Sequence, residues 1–136
     1  MSSEDYLIRY FRQLGGVIAA IFDFRKRKMY SEAIEEIDTA LKTWFKIDPD
    51  HLKDKGDDFL IDISNNPTDK LEAKKSIAEL FYQKAVTFRL MGKIEESTHT
   101  AKIALRIYKE IDSSSGEYSI ENQQKIAELD QMVTKI

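Results

Sequence analysis

The chain has 136 residues, with 21 Lys and Arg against 24 Asp and Glu for a formal charge of −3, 42% hydrophobic residues, two Pro, five Gly and no Cys. A single domain over 1–136 is expected, with enough apolar side chain to bury a core; the lack of cysteine excludes disulfide staples, thiolate metal sites and cysteine nucleophiles and suits a reducing compartment. The longest apolar or glycine run, Leu14 to Phe22, is nine residues against the roughly 20 of a membrane-spanning helix, and Glu4, Asp5 and Asp23 around it do not suit a secretory signal, so the sequence reads as a soluble, cytoplasmic protein with no membrane span.

Five long helices are predicted in chain order, and no stretch alternates with period two strongly enough to compete with them, so the fold class is all-α. The first runs from about residue 5 to 28, with Leu7, Phe11, Leu14, Ile18 and Ile21 on one stripe and Tyr6, Tyr10, Val17 and Phe24 widening it. A stripe that wide predicts cover on more than one side. Gly15 and Gly16 inside it are expected to let another helix approach closely, since each costs about 1 kcal/mol relative to Ala in a helix interior. The second helix, about 31–46, places Ile34, Ile37, Leu41 and Trp44 or Phe45 at helical spacing, and Asp48-Pro49 interrupts it.

Residues 47–67 hold both prolines and the apolar patch Phe59, Leu60, Ile61, Ile63, and read as a connector with one or two helical turns. Asn66-Pro67 restarts regular structure as N-cap and first helical residue. The third helix, about 67–91, carries Ile77, Phe81, Ala85 and Phe88 on its stripe and stops at Gly92. The fourth follows at once with Ile94, Ala101, Ala104, Leu105, Tyr108 and Ile111. Ser113-Ser114-Ser115-Gly116 reads as a flexible link, and Ser119 caps a last helix, about 119–135, with Ile126, Leu129, Val133 and Ile136 on a narrow stripe and one wet face.

Sliding the chain on itself by 64 residues aligns two helix pairs: Phe24 meets Phe88, Arg25 meets Arg89, Glu32 meets Glu96, Ala40-Leu41 meets Ala104-Leu105, Trp44 meets Tyr108 and Ile47-Asp48 meets Ile111-Asp112. The first unit offers Val17, Ala20, Ile21 and Phe24, then Tyr30-Ser31-Glu32-Ala33-Ile34, Ile37 and Ala40-Leu41; the second offers Phe81, Ala85 and Phe88, then Gly92, Ile94-Glu95-Glu96-Ser97, Ala101 and Ala104-Leu105. This order of large apolar, small, aromatic, turn and spaced small residues resembles the tetratricopeptide repeat. It is similar to that of small bacterial proteins of tetratricopeptide-like fold. The resemblance implies two degenerate antiparallel helical hairpins, about 5–46 and 67–111, with an inserted connector and a C-terminal capping helix. It departs from the pattern at Lys84, where an apolar residue is expected, and at Lys28, which replaces the first turn glycine; the closing prolines are absent and the 64-residue spacing exceeds the usual period.

Chemistry-bearing motifs are scarce. His51 and His99 have no second imidazole or thiol beside them in sequence and read as surface residues, and the acidic stretch Asp48, Asp50, Asp54, Gly56, Asp57, Asp58 lacks the alternating ligands and closing acid of a calcium loop. No nucleophile elbow, phosphate loop or dinucleotide fingerprint occurs, so no metal, cofactor or catalytic residue is assigned and the protein is expected not to be an enzyme. Net charge runs from +3 over 1–28 to −6 over 29–68, and the one dense basic run, Arg25-Lys26-Arg27-Lys28, falls at a helix end where it complements the macrodipole, so no nucleic-acid role is expected. Weak membrane attachment through the first helix has only Arg9, Arg12 and Arg25 in its favour.

The resemblance assigns an inner groove to the first helix of each hairpin, which places Ile18, Phe22, Arg25, Tyr82, Val86 and Arg89 there. Apolar and aromatic side chains beside guanidinium groups suit an extended peptide or a carboxylate, unless the connector, the last helix or a second subunit covers them. The leading reading is therefore a protein or peptide interaction module, and the alternative is a small-molecule binder or enzyme with a pocket between the hairpins and the connector. Two recognisable repeats are fewer than a stack usually needs, and Tyr6, Leu7, Tyr10, Phe11 and Leu14 lack a dedicated cap in sequence, so a homodimer through the first helix is also expected.

Overall fold

The computed structural model describes residues 3–48, 70–115 and 119–134, and side chains within them from 13–48, 73–113 and 119–134. Among the described residues the fold is all-helical, with no strand: α1 (Ser3–Lys26), α2 (Tyr30–Phe45), α3 (Lys70–Leu90), α4 (Ile94–Ser115) and α5 (Ile120–Thr134). The expected connector and the Asn66-Pro67 start of α3 lie outside the described residues. None of the described helices is long and apolar enough to cross a membrane.

The 64-residue correspondence extends to the ends of the helices. α1 closes at Lys26 and α3 at Leu90, and α2 opens at Tyr30 and α4 at Ile94. Both turns use one hydrogen-bond pattern: Lys28 N–H donates to Arg25 O and Met29 N–H to Phe24 O at 3.0 and 2.7 Å, while Gly92 N–H donates to Arg89 O and Lys93 N–H to Phe88 O at 3.0 and 2.9 Å. This paired pattern is the Schellman closure, which satisfies the last helical carbonyls and requires a left-handed residue just past the helix. Lys28 takes that conformation at φ 61°, as Gly92 does at φ 77°.

The left-handed region strains any residue with a Cβ by roughly 1–2 kcal/mol. Gly92→Ala is therefore expected to lower stability by about 1 kcal/mol through the backbone alone. A Cβ there meets nothing within 4 Å. Lys28→Gly is expected to have the opposite sign, with a gain of a few tenths of a kcal/mol once the larger unfolded-state entropy of glycine is subtracted. Denaturant midpoints of the two variants check this pair, and equal shifts of the same sign would refute it.

α2 ends before Asp48-Pro49, also at a left-handed residue but with a different set of hydrogen bonds. Lys46 is left-handed at φ 57°, its N–H donates to Leu41 O, and Ile47 N–H reaches the same carbonyl at 3.0 Å. At the other end of the chain Ser119 caps α5 as expected, with its Oγ accepting from Asn122 N–H at 3.3 Å. The serine run does not act as a link before that helix, because Ser113 to Ser115 extend α4.

Each helix packs on the next in the chain and α1 also meets α3. Side chains of α3 bond those of α5, so the odd-numbered helices come together along one side. The core joins Ile21 of α1, Ala33, Ile37, Ala40 and Leu41 of α2, Ile77, Ala78, Leu80, Phe81 and Ala85 of α3, Ala101, Ala104, Ile107, Tyr108 and Ile111 of α4, and Leu129 and Met132 of α5. Small residues at Ala33, Ala40, Ala101 and Ala104 let the helix axes approach to about 8–10 Å.

α3 packs against α1, α2 and α4. Among its described residues α1 buries Ile21 fully and leaves Gln13, Gly15, Gly16, Ala19, Phe22 and Asp23 exposed. A Cβ built on Gly15 or Gly16 meets nothing within 4 Å, so the expected close approach of a helix there does not occur among the described residues. α3 has neighbours on both sides and buries polar residues as well as apolar ones: Lys74, Ser76, Gln83, Lys84 and Thr87 are all buried. Phe24 and Phe88, expected in the core, are half-buried, and Ile94, expected on a buried stripe, is exposed.

The two buried lysines of α3 are paired across its interfaces. Lys84, at the position where the repeat pattern asks for an apolar residue, bonds Asp38 of α2 at 2.7 Å. Lys74 bonds Glu110 of α4 at 3.0 Å. Thr87 Oγ1 donates to Gln83 O within α3, and Ser97 Oγ of α4 donates to Ala85 O at 2.8 Å, fixing the start of α4 on its neighbour.

Candidate functional site

The side where α1, α3 and α5 meet carries the densest set of polar contacts described. It is built on one face of α3, where Glu79, Tyr82, Gln83 and Val86 follow the i, i+3, i+4, i+7 spacing that puts side chains on a common stripe. The end of α1 adds Phe22 and Arg25, and α5 adds Lys125 and Glu128.

The Arg25 guanidinium lies 4.8 Å from the centroid of the Phe22 ring, a cation–π distance, and Phe22 itself is 49% exposed. Burial lowers the Arg25 pKa from its ordinary value, and the charge interactions with Tyr82 and then Glu79 oppose that shift. Its Nη1 is buried and has no hydrogen-bond partner among the described residues. Glu79, the fixed anion within electrostatic reach, is engaged elsewhere: it accepts from Gln83 Nε2 at 2.9 Å and Tyr108 Oη at 3.2 Å, and pairs with Lys125 Nζ at 3.3 Å.

Tyr82 stands between the two flanking helices. Its hydroxyl donates to Glu128 Oε2 at 2.7 Å, and the ammonium of Lys125 sits 3.6 Å from its ring centroid. Burial first, then the bond to Glu128 and the nearby carboxylates, push the Tyr82 phenol well above its usual range. Burial and then Glu79 do the same to Tyr108. Both hydroxyls therefore stay protonated through the physiological range and act as hydrogen-bond donors.

Of the groove residues expected from the sequence, Arg25 lies over the Phe22 ring, while Tyr82 contacts Lys125 and Glu128 of α5. Ile18 is half-buried and packs on the core, Val86 is half-buried, and Arg89 is exposed in the last turn of α3, where its charge complements the helix dipole. Sequence reasoning missed Glu79, Gln83, Tyr108, Lys125 and Glu128. The first two share the helix face of Tyr82 and were findable from spacing; nothing local to Lys125 or Glu128 says which helix they meet. Part of the cover foreseen for Tyr82 by the last helix is present, supplied by Lys125 and Glu128.

The self-association residues Tyr6, Leu7, Tyr10 and Phe11 have side chains outside the described set, and Leu14 is half-buried against the core. His99 is exposed on α4, and His51 lies outside the described residues. No group of three or more His, Asp or Glu is arranged to hold a metal ion among the described residues.

The fold and this face define an all-helical protein with a polar, aromatic surface between its first, third and fifth helices. Comparison with family models, curated proteins and solved structures finds no match.

Proposed function

We propose that this protein is a non-catalytic, cytoplasmic interaction module of tetratricopeptide-like architecture, whose α1–α3–α5 face binds an extended segment of a partner protein and receives a partner carboxylate at Arg25. The observation that carries the reading is the buried, unpartnered Nη1 of Arg25. A guanidinium offers five N–H donors in a fixed fork matched to a carboxylate, and a buried donor left unmade is costly, so an incoming acceptor gains more here than at a solvated arginine. The exposed Phe22 ring beside it supplies apolar contact of the kind aromatic side chains give at interfaces. The matched helix ends and Schellman turns of the two hairpins support the architecture.

A library of blocked decapeptides, each carrying either Glu or Gln at its centre, tests the proposal by fluorescence anisotropy. Glu peptides are expected to bind at least tenfold more tightly than their Gln counterparts, and Arg25→Gln to abolish the difference while leaving the melting temperature near that of the parent. Arg25→Lys is expected to recover only part of it, because an ammonium keeps the charge without the fork. Absence of binding by every peptide to the folded protein would end this reading.

A further inference from the structure

Lys125 of α5 rests its ammonium on a site that α3 and α4 hold in shape without it. The Nζ lies 3.3 Å from Glu79 Oε2 and 3.6 Å from the centroid of the Tyr82 ring. We infer that the Glu79 carboxylate and the Tyr82 ring form a receptor for the guanidinium of a partner's arginine, in which Lys125 is the displaceable resident cation. The inference does not use Arg25 and does not depend on a carboxylate binding there.

The carboxylate is oriented by groups other than Lys125. Glu79 Oε1 accepts from Gln83 Nε2 at 2.9 Å and Oε2 from Tyr108 Oη at 3.2 Å, and both donors belong to buried residues. Glu79 therefore keeps its position when the lysine leaves. A carboxylate offers about four acceptor positions. One protein donor on each oxygen leaves an open position on each, which is the arrangement that two parallel N–H groups of a guanidinium fill and a single ammonium does not. The planar guanidinium also stacks on an aromatic face, here that of Tyr82. Gln83 Oε1, on the same amide that bonds Glu79, is buried with no partner among the described residues, so an acceptor beside the site is left over with Lys125 in place. Lys125 is also the loosest of the lysines paired at α3: its side chain is 28% exposed, against 11% for both Lys74 and Lys84. Its departure does not require α5 to undock, because Leu129 and Met132 hold that helix in the core and Gln123 Nε2 donates to Asp112 at 2.9 Å. Glu128, which accepts from the Tyr82 hydroxyl at 2.7 Å, adds a second acid beside the ring and favours an incoming cation.

The test is an NMR titration of the full chain with a blocked glycine pentapeptide carrying Arg, Lys or citrulline at its centre. The Arg peptide is expected to bind at least threefold more tightly than the Lys peptide and at least tenfold more tightly than the neutral citrulline peptide. Lys125→Ala is expected to tighten binding of the Arg peptide at least fivefold, by vacating the site. The control is Lys109→Ala, which removes an exposed lysine paired with Asp130 of the same helix at 3.9 Å and should change the affinity less than twofold. Glu79→Gln is expected to weaken the Arg peptide at least tenfold. Amide exchange in α5 is followed in each variant, and if Lys125→Ala loosens that helix, Lys125→Met, which keeps the length of the side chain, takes its place in the comparison. Equal affinity of the Arg and Lys peptides, an equal gain from Lys109→Ala and the Lys125 variant, or full binding by Glu79→Gln would each overturn the site. Agmatine binding as tightly as the Arg peptide would overturn its assignment to a protein segment, since a free guanidinium would then suffice.

Discussion

Truncating Phe81 to Ala is expected to lower the stability of the fold by about 3–5 kcal/mol, the cost of deleting a buried aromatic ring and leaving part of its cavity unfilled. Phe81 is 1% exposed on α3, among the largest of the fully buried side chains, and α3 is the helix on which the other elements converge. Against an ordinary total of about 5–15 kcal/mol, that loss brings the variant close to unfolding at body temperature. Phe24→Ala and Phe88→Ala are expected to cost less, about 1–2 kcal/mol each, because both side chains are only partly buried in the folded state. His99→Ala, at an exposed position, should change little. Chemical denaturation of the four variants checks the order; a Phe88→Ala loss equal to that of Phe81→Ala would mean that the stripe of α3 is rotated from the orientation described.

The Lys84–Asp38 pair is expected to respond asymmetrically to substitution. Asp38→Ala leaves the Lys84 ammonium in a largely buried position without its carboxylate, and should cost about 2–4 kcal/mol, somewhat below the figure for a fully buried pair because water reaches the Asp38 side. The side chains are 11% and 30% exposed, respectively. Lys84→Met, which keeps the length of the side chain and removes the charge, is expected to be far milder and within about 1 kcal/mol of the parent, since the exchange also removes the desolvation cost of the ammonium. The double variant Asp38→Ala, Lys84→Met should then be more stable than Asp38→Ala alone. Denaturant midpoints decide the matter, and a Lys84→Met loss as large as that of Asp38→Ala would show that the pair contributes net stability on its own account.

This pair also shows where sequence reasoning reached its limit. Lys84 looked like a departure from the repeat because a lysine on an apolar stripe has no partner nearby in sequence; Asp38 is 46 residues away and on another helix. The departure at Lys28 is of the other kind. Its left-handed backbone was foreshadowed by Gly92 in the second turn, since the aligned turns share one set of hydrogen bonds and a lysine can adopt the conformation at a cost. Phe22, Arg25 and Tyr82 were nominated through the resemblance of the two hairpins; Arg25 lies over the Phe22 ring, and the groups around Tyr82 come from α5.

The sequence by itself determined the class of fold, the 64-residue offset between matching helix ends and turns and the cap at Ser119, because helical periodicity, turn chemistry and capping are short-range properties carried by residues within a few positions of one another. Only the tertiary structure decided which helix is surrounded. Among its described side chains α1 leaves Ala19 and Phe22 in solvent, while α3, with Lys74, Gln83 and Lys84 among its buried residues, packs against α1, α2 and α4. Apolar content says how much surface a helix can bury, but the number of neighbours is set by its place in the stack, and paired polar groups make the central place tolerable for α3. The same holds for the candidate site: the groups gathered on Glu79 come from α3, α4 and α5, which no local sequence pattern joins.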